Sequence, residues 1–597
     1  MTNLECLQDK LRALGCHAFL VPSTDEYLSE FAQPFAQRLQ WATRFSGSTG
    51  VGIVLQDRAA LFLDGRYYAQ GQRETDGLGI EILDASEPFR ERWLAQHLTA
   101  GERLAIDSRL HSYKEMEHLL QWAAEHAIQV INLTQNPIDE LWSCGRPAAP
   151  SSTVFDYALQ FSGVSSLEKI IQLQHYLTRM GRHAHLLANS EDVAWLLNVR
   201  TLDCMNVSAS GWHTVPIPLS RALVEATGQV HWFIDHRRLE PTLAVRLAPG
   251  VNLVEPDHFE SFLHERVTGK VLSADLVSTP HRFAAIAASV GKVVDDPVVA
   301  RSRWQKNPTE IARARAGHFI DGQAVIRFLA WLHRTVPNEV VTELDAAQKL
   351  TELRGERADY KGISMPLMSA SGPSGAMAHY VPRQHSNRKL NDHPIYWMDS
   401  GGQYFGCSTD NTVCVAVSDP EPEHIKAHTL VVKGFIALTR ARFPTGTYST
   451  HLDSFARQFL WQHGMDYGHG TGHGVGSFMN IHEGPHIRRE IHHPMVTPMA
   501  AGMIVSNEPA YYRNGDFGIR VESHMVAVPS QCEGFLEFET LSSLPLDPRL
   551  IDRTLLTVEE KEWLAEYHLD IAKRYQGCFD EATHQWLQDI VRGHVAA

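Results

Sequence analysis

Residues 467–485 read YGHGTGHGVGSFMNIHEGP, and the glycines at 468, 470, 472, 474 and 476 restrict what this stretch can become. A helix is disfavoured, since each glycine would cost about 1 kcal/mol there. With a period of two, His469, Thr471, His473 and Val475 fall on one face and only glycine on the other. A strand with one bare face lets a neighbouring backbone press close upon it. The stretch is not a phosphate loop, because no glycines have the spacing of a dinucleotide fingerprint and no lysine follows as a P-loop requires. If residues 469–473 are extended, the two histidines stand roughly 13 Å apart. A metal–nitrogen bond is about 2.1 Å, so at most one of them binds a given ion while the other lines the same cleft.

The segments on either side supply carboxylates. YWMDSGGQYFGCSTDNTVCVAV (396–417) is two strand-like runs about a glycine-containing turn, and a hairpin would set Asp399 and Asp410 across the ladder from each other. SNEPAYYRNGDFGIRVE (506–522) carries Asn514-Gly515, a strong hairpin signal, with Glu508 and Glu522 seven residues either side of Gly515. Buried carboxylates that face one another repel, at a cost of several kcal/mol each unless compensated. One imidazole and four carboxylates make an oxygen-rich set suited to divalent ions such as Mn²⁺ or Zn²⁺. Two such ions balance four negative charges, and at about 3.5–4 Å apart they can hold a hydroxide near neutral pH. That pattern is a hydrolase centre.

At 597 residues the chain exceeds one hydrophobic core, so two to four domains are expected. Acidic residues outnumber basic ones, 69 to 54, for a formal charge of −15. This balance argues against a nucleic-acid partner. No apolar run approaches the roughly 18 residues of a membrane span. The N-terminus MTNLECLQDKLRALGC is interrupted by Glu5 and Asp9 and does not read as a secretory signal. Leu4, Leu7, Leu11 and Leu14 instead share one helical face that ends at Gly15. Eight scattered cysteines form no CxxC pair, which suggests neither a disulfide frame nor a zinc ribbon. A cytoplasmic protein is expected.

The first half carries a faint duplication. Helix Leu4–Leu14, then GCHAFLVPSTDEYLSEF (Gly stop, short strand, turn, helix), is repeated by SSLEKIIQLQHYLTRM and GRHAHLLANSEDVAWLLN. DRAALFLDGRYYAQ is likewise echoed by GQVHWFIDHRRLEP, each a strand ending in Asp64 or Asp235. Two related α/β domains, 1–145 and 146–301, are expected, with CGRPAAPSS (144–152) as linker. A third region starts near Asn307 with a long helix whose first turn is acidic, and a second helix begins near Thr342. Glycine- and aromatic-rich strands follow, interrupted by a helix over PEHIKAHTLVVKGFIALTRARF. Residues 555–597 read as helical.

MDSGGQYFGCSTD, HGTGHGVGSFMNIHEGP and SNEPAYYRNGDFGIRVE together resemble the three metal-binding motifs of the pita-bread metallopeptidases. That family includes methionine aminopeptidase, prolidase, aminopeptidase P and the metal-free creatinase. VPSTDEYLSEF, SGSTG, LDGRYY, VAWLLNVR and the segment LEFETLSSLPLDPRLIDRTLLTVEEKEWLAEYH resemble the long, three-domain aminopeptidase P branch, so the resemblance spans nearly the whole chain. It implies two creatinase-like α/β domains (1–145 and 146–301) and an α+β pita-bread catalytic domain (302–597) with a C-terminal extension from about 535. It also implies two divalent ions, manganese first with zinc or cobalt as alternatives, on Asp399, Asp410, His473, Glu508 and Glu522. Asp410 and Glu522 would bridge the ions, and Glu508 would act as general base. His379 and His482 would flank the scissile peptide as catalytic residues. His469, Tyr512 and Arg520 would be substrate-side residues, with Arg520 paired to a ligand carboxylate. The implied substrates are peptides with proline second, whose tertiary amide lacks an N–H and restricts the residue before it. A dipeptide-restricted prolidase or an inactive peptide-binding relative are the alternatives, and no membrane partner is implied. The long members are cytosolic homodimers.

The chain departs from the family pattern after Asp410, where Asn411-Thr412-Val413-Cys414 replaces Val/Ile-Thr-Arg-Thr. The missing arginine would remove a positive group near the site, and Cys414 would be open to oxidation or would perturb metal preference. Cys407-Ser408 stands for Gly-Thr, and Ala510 for a glycine. The segment after Arg200, TLDCMNVSASGWHTVPIP, is longer than its counterpart and is expected to reshape the substrate entrance. His486, His492 and His493 are expected to be solvated loop residues.

Overall fold

The structure, a computed structural model, describes residues 1–85, 89–203 and 215–595. Its described residues form two compact units. The first comprises Met1–Leu159, Val164–Asp203 and Pro216–Arg303; the second holds Gln160–Gly163 and the described residues from Trp304 onward. The expectation for the longer segment after Arg200 rests on residues 204–214, which lie outside the described residues.

The first unit contains two six-stranded sheets. β1 (Ala18–Pro22), β2 (Val51–Leu55), β3 (Ala59–Leu63), β4 (Ile80–Asp84), β5 (Arg103–Ile106) and β6 (Gln129–Asn132) lie in the order β4-β3-β2-β1-β5-β6. β7 (Ala184–Leu187), β8 (Arg221–Glu225), β9 (Val230–Phe233), β10 (Val251–Val254), β11 (Val271–Ala274) and β12 (Lys292–Asp295) repeat it as β10-β9-β8-β7-β11-β12. In both sheets the hairpins are antiparallel and the flanking pairs parallel, so the faint duplication is a duplication of topology. Helix Asn3–Leu14 buries Leu4, Leu7 and Leu11 and stops at Gly15, whose φ of 64° suits glycine. Its counterpart Ser166–Arg179 starts with the same capping box, Ser165 with Glu168. One expected element is absent. After β1, the residues DEYLSEF form turns in place of a helix, and a six-residue helix follows only at Arg38–Thr43. Asp25 accepts the backbone N–H groups of Tyr27 and Ser29, an Asx turn that competes with helix there. The matching segment of the second sheet is helical at Ser190–Leu197, as the sequence predicts.

The second unit opens with helix Pro308–Thr335, capped by Asn307 and Glu310, and helix Glu343–Gly355, capped by Thr342. A three-stranded antiparallel sheet follows, β13 (Met368–Ser371), β14 (Ile395–Ser400) and β15 (Asn411–Ala416) in that order. A six-stranded sheet has the order β16-β23-β22-β19-β17-β18. Its strands are β16 (Arg442–Pro444), β17 (Gly472–Val475), β18 (His482–Ile487), β19 (Ile504–Asn507), β22 (Ser523–Pro529) and β23 (Phe535–Thr540). The hairpin β20 (Ala510–Arg513) and β21 (Phe517–Arg520) separates β19 from β22. The helix expected over 422–443 ends at Thr439, and Arg442–Pro444 is strand β16. Phe328, Leu329 and Leu332 of the long helix bury against Tyr396 and Met398 of β14 and Val413 and Val415 of β15, which backs the three-stranded sheet with apolar surface. The tail is helical at Val558–Arg574 and Glu581–Val595. Among the described residues no disulfide forms, and no helix is long and apolar enough to cross a membrane.

Candidate metal centre

The bare face of the glycine-rich stretch is used as the alternation predicts. A Cβ at Gly472 would lie 2.0 Å from the carbonyl oxygen of Ser506, and one at Gly474 would lie 2.0 Å from that of Gly484. β17 is thereby clamped between β19 and β18. The strand begins only at Gly472, so His469 sits in the turn before it and the extended run is shorter than expected. Both rings reach Glu508, His469 Nδ1 at 3.8 Å and His473 Nε2 at 3.7 Å, closer together than a straight strand would put them. Of these two histidines, His473 alone belongs to a group of candidate metal donors among the described residues.

His473 Nδ1–H donates to the Gly474 carbonyl at 2.8 Å, which turns the Nε2 lone pair towards the carboxylates. That nitrogen lies 3.7 Å from Asp410 Oδ2 and 3.9 Å from Glu522 Oε1. The carboxylates arrive by two hairpin registers. Glu508 and Glu522 are equivalent about Gly515, because Asn507 pairs Ser523 on one side and Ala510 pairs Arg520 on the other. Asp399 instead pairs Thr412, and Ser400 pairs Asn411, so Asp410 stands two positions from where a simple hairpin would set it. The short strands Gly402–Tyr404 and Cys407–Ser408, folded about Gly406 at a φ of 89°, set that register. Thr412, unremarked in the sequence, fills the gap by donating to Glu522 Oε2 at 2.8 Å and accepting from Arg520 Nε at 3.0 Å.

Arg520 pairs with Asp399, donates to the Ala378 carbonyl at 3.0 Å and to the Tyr512 hydroxyl, and lies over the Trp397 ring at 4.4 Å. The Tyr512 hydroxyl in turn donates to His469 Nε2 at 3.1 Å, since His469 Nδ1–H is held by the Gly470 carbonyl. His379 follows Ala378 directly, which places it beside this chain of contacts. The ring of His482 lies 4.4 Å from that of His473 and is partly open to solvent. Contacts thus link Arg520 with Asp399 and, through Tyr512, with His469, and His473 with Asp410, Glu508, Glu522 and His482.

Asp399, Asp410 and Glu522 are at most 4% exposed. Burial, then the charges of Glu522, Asp399 and Glu508, holds the Asp410 carboxyl well above its usual range. Burial, Glu508 and Asp399 do the same to Glu522. Glu508 is pushed up to about 7, chiefly by burial. Asp399 Oδ1 and Asp410 Oδ1 are buried without a hydrogen-bond partner. So concentrated a set of acidic oxygens, with two unbonded and one imidazole lone pair aimed among them, fits divalent cations and little else. Among the described residues, three groups bring candidate donor atoms within 4.8 Å of one another: Asp410, His473 and His482; His473, Glu508 and Glu522; and Asp410, Glu522 and His524. His524 was not picked out from the sequence, although it follows Glu522 by two and so shares its strand face.

Two expectations about the departures are corrected. Val413 lies on the opposite face of β15 from Thr412 and packs in the core beneath the long helix, so the absent arginine leaves no gap in the cleft. Cys414 is 4% exposed, and burial holds its thiol protonated, which makes it neither an oxidation site nor a thiolate ligand. His486 is also corrected. It belongs to β18, is partly buried, and stacks on His493 with ring centres 5.1 Å apart.

Known proteins match this arrangement along the chain. Residues 312–529 fit the model of metallopeptidase family M24, and 534–592 fit the C-terminal region of that peptidase. Residues 4–141 and 145–310 each fit a creatinase/prolidase N-terminal domain. Proteins described as probable Xaa-Pro aminopeptidase P are 32% identical in Paracoccidioides lutzii, over 98% of both chains, and 34% identical in Laccaria bicolor, over 98% of this chain and 92% of that one. The crystal structure of X-prolyl aminopeptidase from Caenorhabditis elegans, described as a cytosolic enzyme with a di-nuclear active site, superposes with a TM-score of 0.92 at 28% identity and covers 99% of each chain. On the strength of its fold, its clustered acidic site and these full-length matches, the chain belongs to metallopeptidase family M24, in the aminopeptidase P branch.

Proposed function

We propose that this chain is a metallo-aminopeptidase that hydrolyses the first peptide bond of peptides with proline at the second position. The observation that carries the reading is the meeting of buried Asp410 and Glu522 and partly buried Glu508 about His473 Nε2, with the charge of buried Asp399 felt by all three carboxylates. These five residues would hold two divalent ions. When bound, the ions would supply charge neutralisation and an activated water at neutral pH.

The roles of the chain's own residues follow from position. Glu508, half-open to the cleft and held near neutrality in its proton affinity, takes the proton from the attacking water and returns it to the leaving nitrogen. Arg520 fixes Asp399 and, through Tyr512, orients His469 at the mouth of the cleft. His482 and His379 line the path of the substrate carbonyl, where an N–H donor stabilises the developing oxyanion. The resemblance supports manganese, with zinc or cobalt as alternatives, and a homodimer. The worm relative supports a cytosolic setting. The three-domain division 1–145, 146–301 and 302–597 belongs to the same proposal.

The test is hydrolysis of an Xaa-Pro-Pro tripeptide by chelator-stripped protein with and without Mn²⁺, beside an Xaa-Pro dipeptide. Metal-dependent release of the first residue from the tripeptide is expected. Cleavage of the dipeptide alone would establish a prolidase instead, and no cleavage with two ions bound would leave only peptide binding.

A further inference from the structure

His524, the second residue of β22 and two positions after Glu522, is wholly buried in the second unit. Its Nδ1 lies 2.7 Å from Nε2 of His318, and Nδ1 of His318 lies 2.7 Å from the Ala314 carbonyl. A carbonyl only accepts, so His318 must carry its proton on Nδ1. Burial keeps the His318 ring neutral, which leaves its Nε2 as an acceptor towards His524 Nδ1. The single proton between the rings therefore belongs to His524 Nδ1, and His524 Nε2 keeps a bare lone pair.

That nitrogen has no hydrogen-bond partner. A ring nitrogen of His524 falls within 4.8 Å of oxygens of Asp410 and Glu522, and with Nδ1 turned to His318 it is Nε2 that faces them. A lone pair sealed against two carboxylates is repelled by both unless a proton or a metal ion stands between them. The geometry behind it is that of a metal-bound histidine, whose far N–H is normally held by a fixed acceptor that sets the tautomer. His482 differs, because its ring is partly open to the cleft.

We infer that His524 is a further protein ligand of the metal centre, its imidazole nitrogen directed to the ion held between Asp410 and Glu522. The inference rests on the metallopeptidase reading above. The rings of His473 and His524 are 6.3 Å apart and nearly perpendicular. A further nitrogen shifts that site away from manganese and towards zinc or cobalt, which imidazole suits better. His318 acts through His524 as a positioning residue, and Gly317, where a Cβ would meet the Cys407 side chain at 2.5 Å, lets the helix bearing it approach.

The experiment is a Co²⁺ titration of the chelator-stripped full chain, followed by visible absorption and by the hyperfine-shifted, exchangeable proton resonances of bound imidazoles. Wild type is expected to show two such resonances, from the Nδ1–H groups held by Gly474 and by His318. His524→Val should lose one of them and bind one ion about tenfold more weakly or worse. One resonance in the wild type, or two retained in His524→Val with unchanged affinity, would overturn the inference while leaving the peptidase reading intact. Failure of the wild type to bind cobalt at all would overturn both. Should His524→Val not fold, the wild-type count alone decides.

Discussion

Gly474→Ala isolates the packing that aims His473. Gly472 and Gly474 have ordinary backbone angles, so alanine meets no conformational penalty there and the effect of a substitution is purely one of space. At Gly474 the added methyl would sit 2.0 Å from one backbone atom of Gly484 and 2.4 Å from the next, about 1 Å or more inside any tolerated contact. Backbone cannot swing aside as a side-chain tip can, so β17 and β18 must separate by about that amount. His473 lies between the two glycines with its N–H on Ser506 Oγ at 2.9 Å, and it moves with the strand. Overpacking of this kind costs about 1–3 kcal/mol of stability. A displacement of about 1 Å at a reacting centre costs about 10²-fold in rate. The expected result is therefore a folded protein whose kcat/KM on an Xaa-Pro-Pro tripeptide falls about 100-fold, with weakened metal binding. Gly470→Ala is the control. It belongs to the same motif, but its methyl would come no closer than 3.3 Å to any atom, and its activity should stay within about threefold of wild type. If Gly474→Ala kept full activity, or if Gly470→Ala were equally damaging, close approach would not be the reason for these glycines.

Three further outcomes are expected. Glu508→Gln keeps the shape of the general base without its proton affinity, and should lower kcat by about 10²–10⁴-fold with a much smaller change in KM, measured by steady-state kinetics. Arg354, fully buried, is paired through Nε to Asp321 at 2.8 Å, and Asp321 also holds Tyr404 and Asn411 beside the metal-site hairpin. Arg354→Met strands that carboxylate and should cost about 3–5 kcal/mol, whereas Arg354→Met with Asp321→Leu should recover most of it; urea unfolding checks both, and an additive loss would refute the pairing argument. In chelated protein, the carboxyls of Asp410, Glu522 and Glu508 bind protons more tightly when folded than when unfolded. Their contribution to stability is full below an unfolded value near 4 and is lost as pH rises through about 7 and beyond, so the urea midpoint of chelated protein should fall over that range. Added divalent ions should restore it most at the alkaline end, and a midpoint that rose with pH in chelator would refute the assignment.

What the sequence made legible was local. The bare glycine face was readable because a strand repeats every two residues, and the Glu508–Glu522 pairing because Asn514-Gly515 fixes the turn about which they are counted. The Asp399–Asp410 register was not, since two short strands and the left-handed Gly406 lie inside that turn and move the centre of the hairpin by one residue. Nor was the Asx turn of Asp25 legible as a helix breaker, because DEYLSEF has the composition of a helix and only its place after β1 decides. Parity within a strand also decides which side chains face the core. Thr412 and Cys414 share one face of β15, so Val413 had to face the core, and an arginine missing there was never going to be a charge missing from the cleft. The same parity puts His524 with Glu522. What no parity supplies is the partner beyond the strand, here His318 on a helix 206 residues away, and it is that partner which fixes where the proton on His524 resides and so what its other nitrogen can bind.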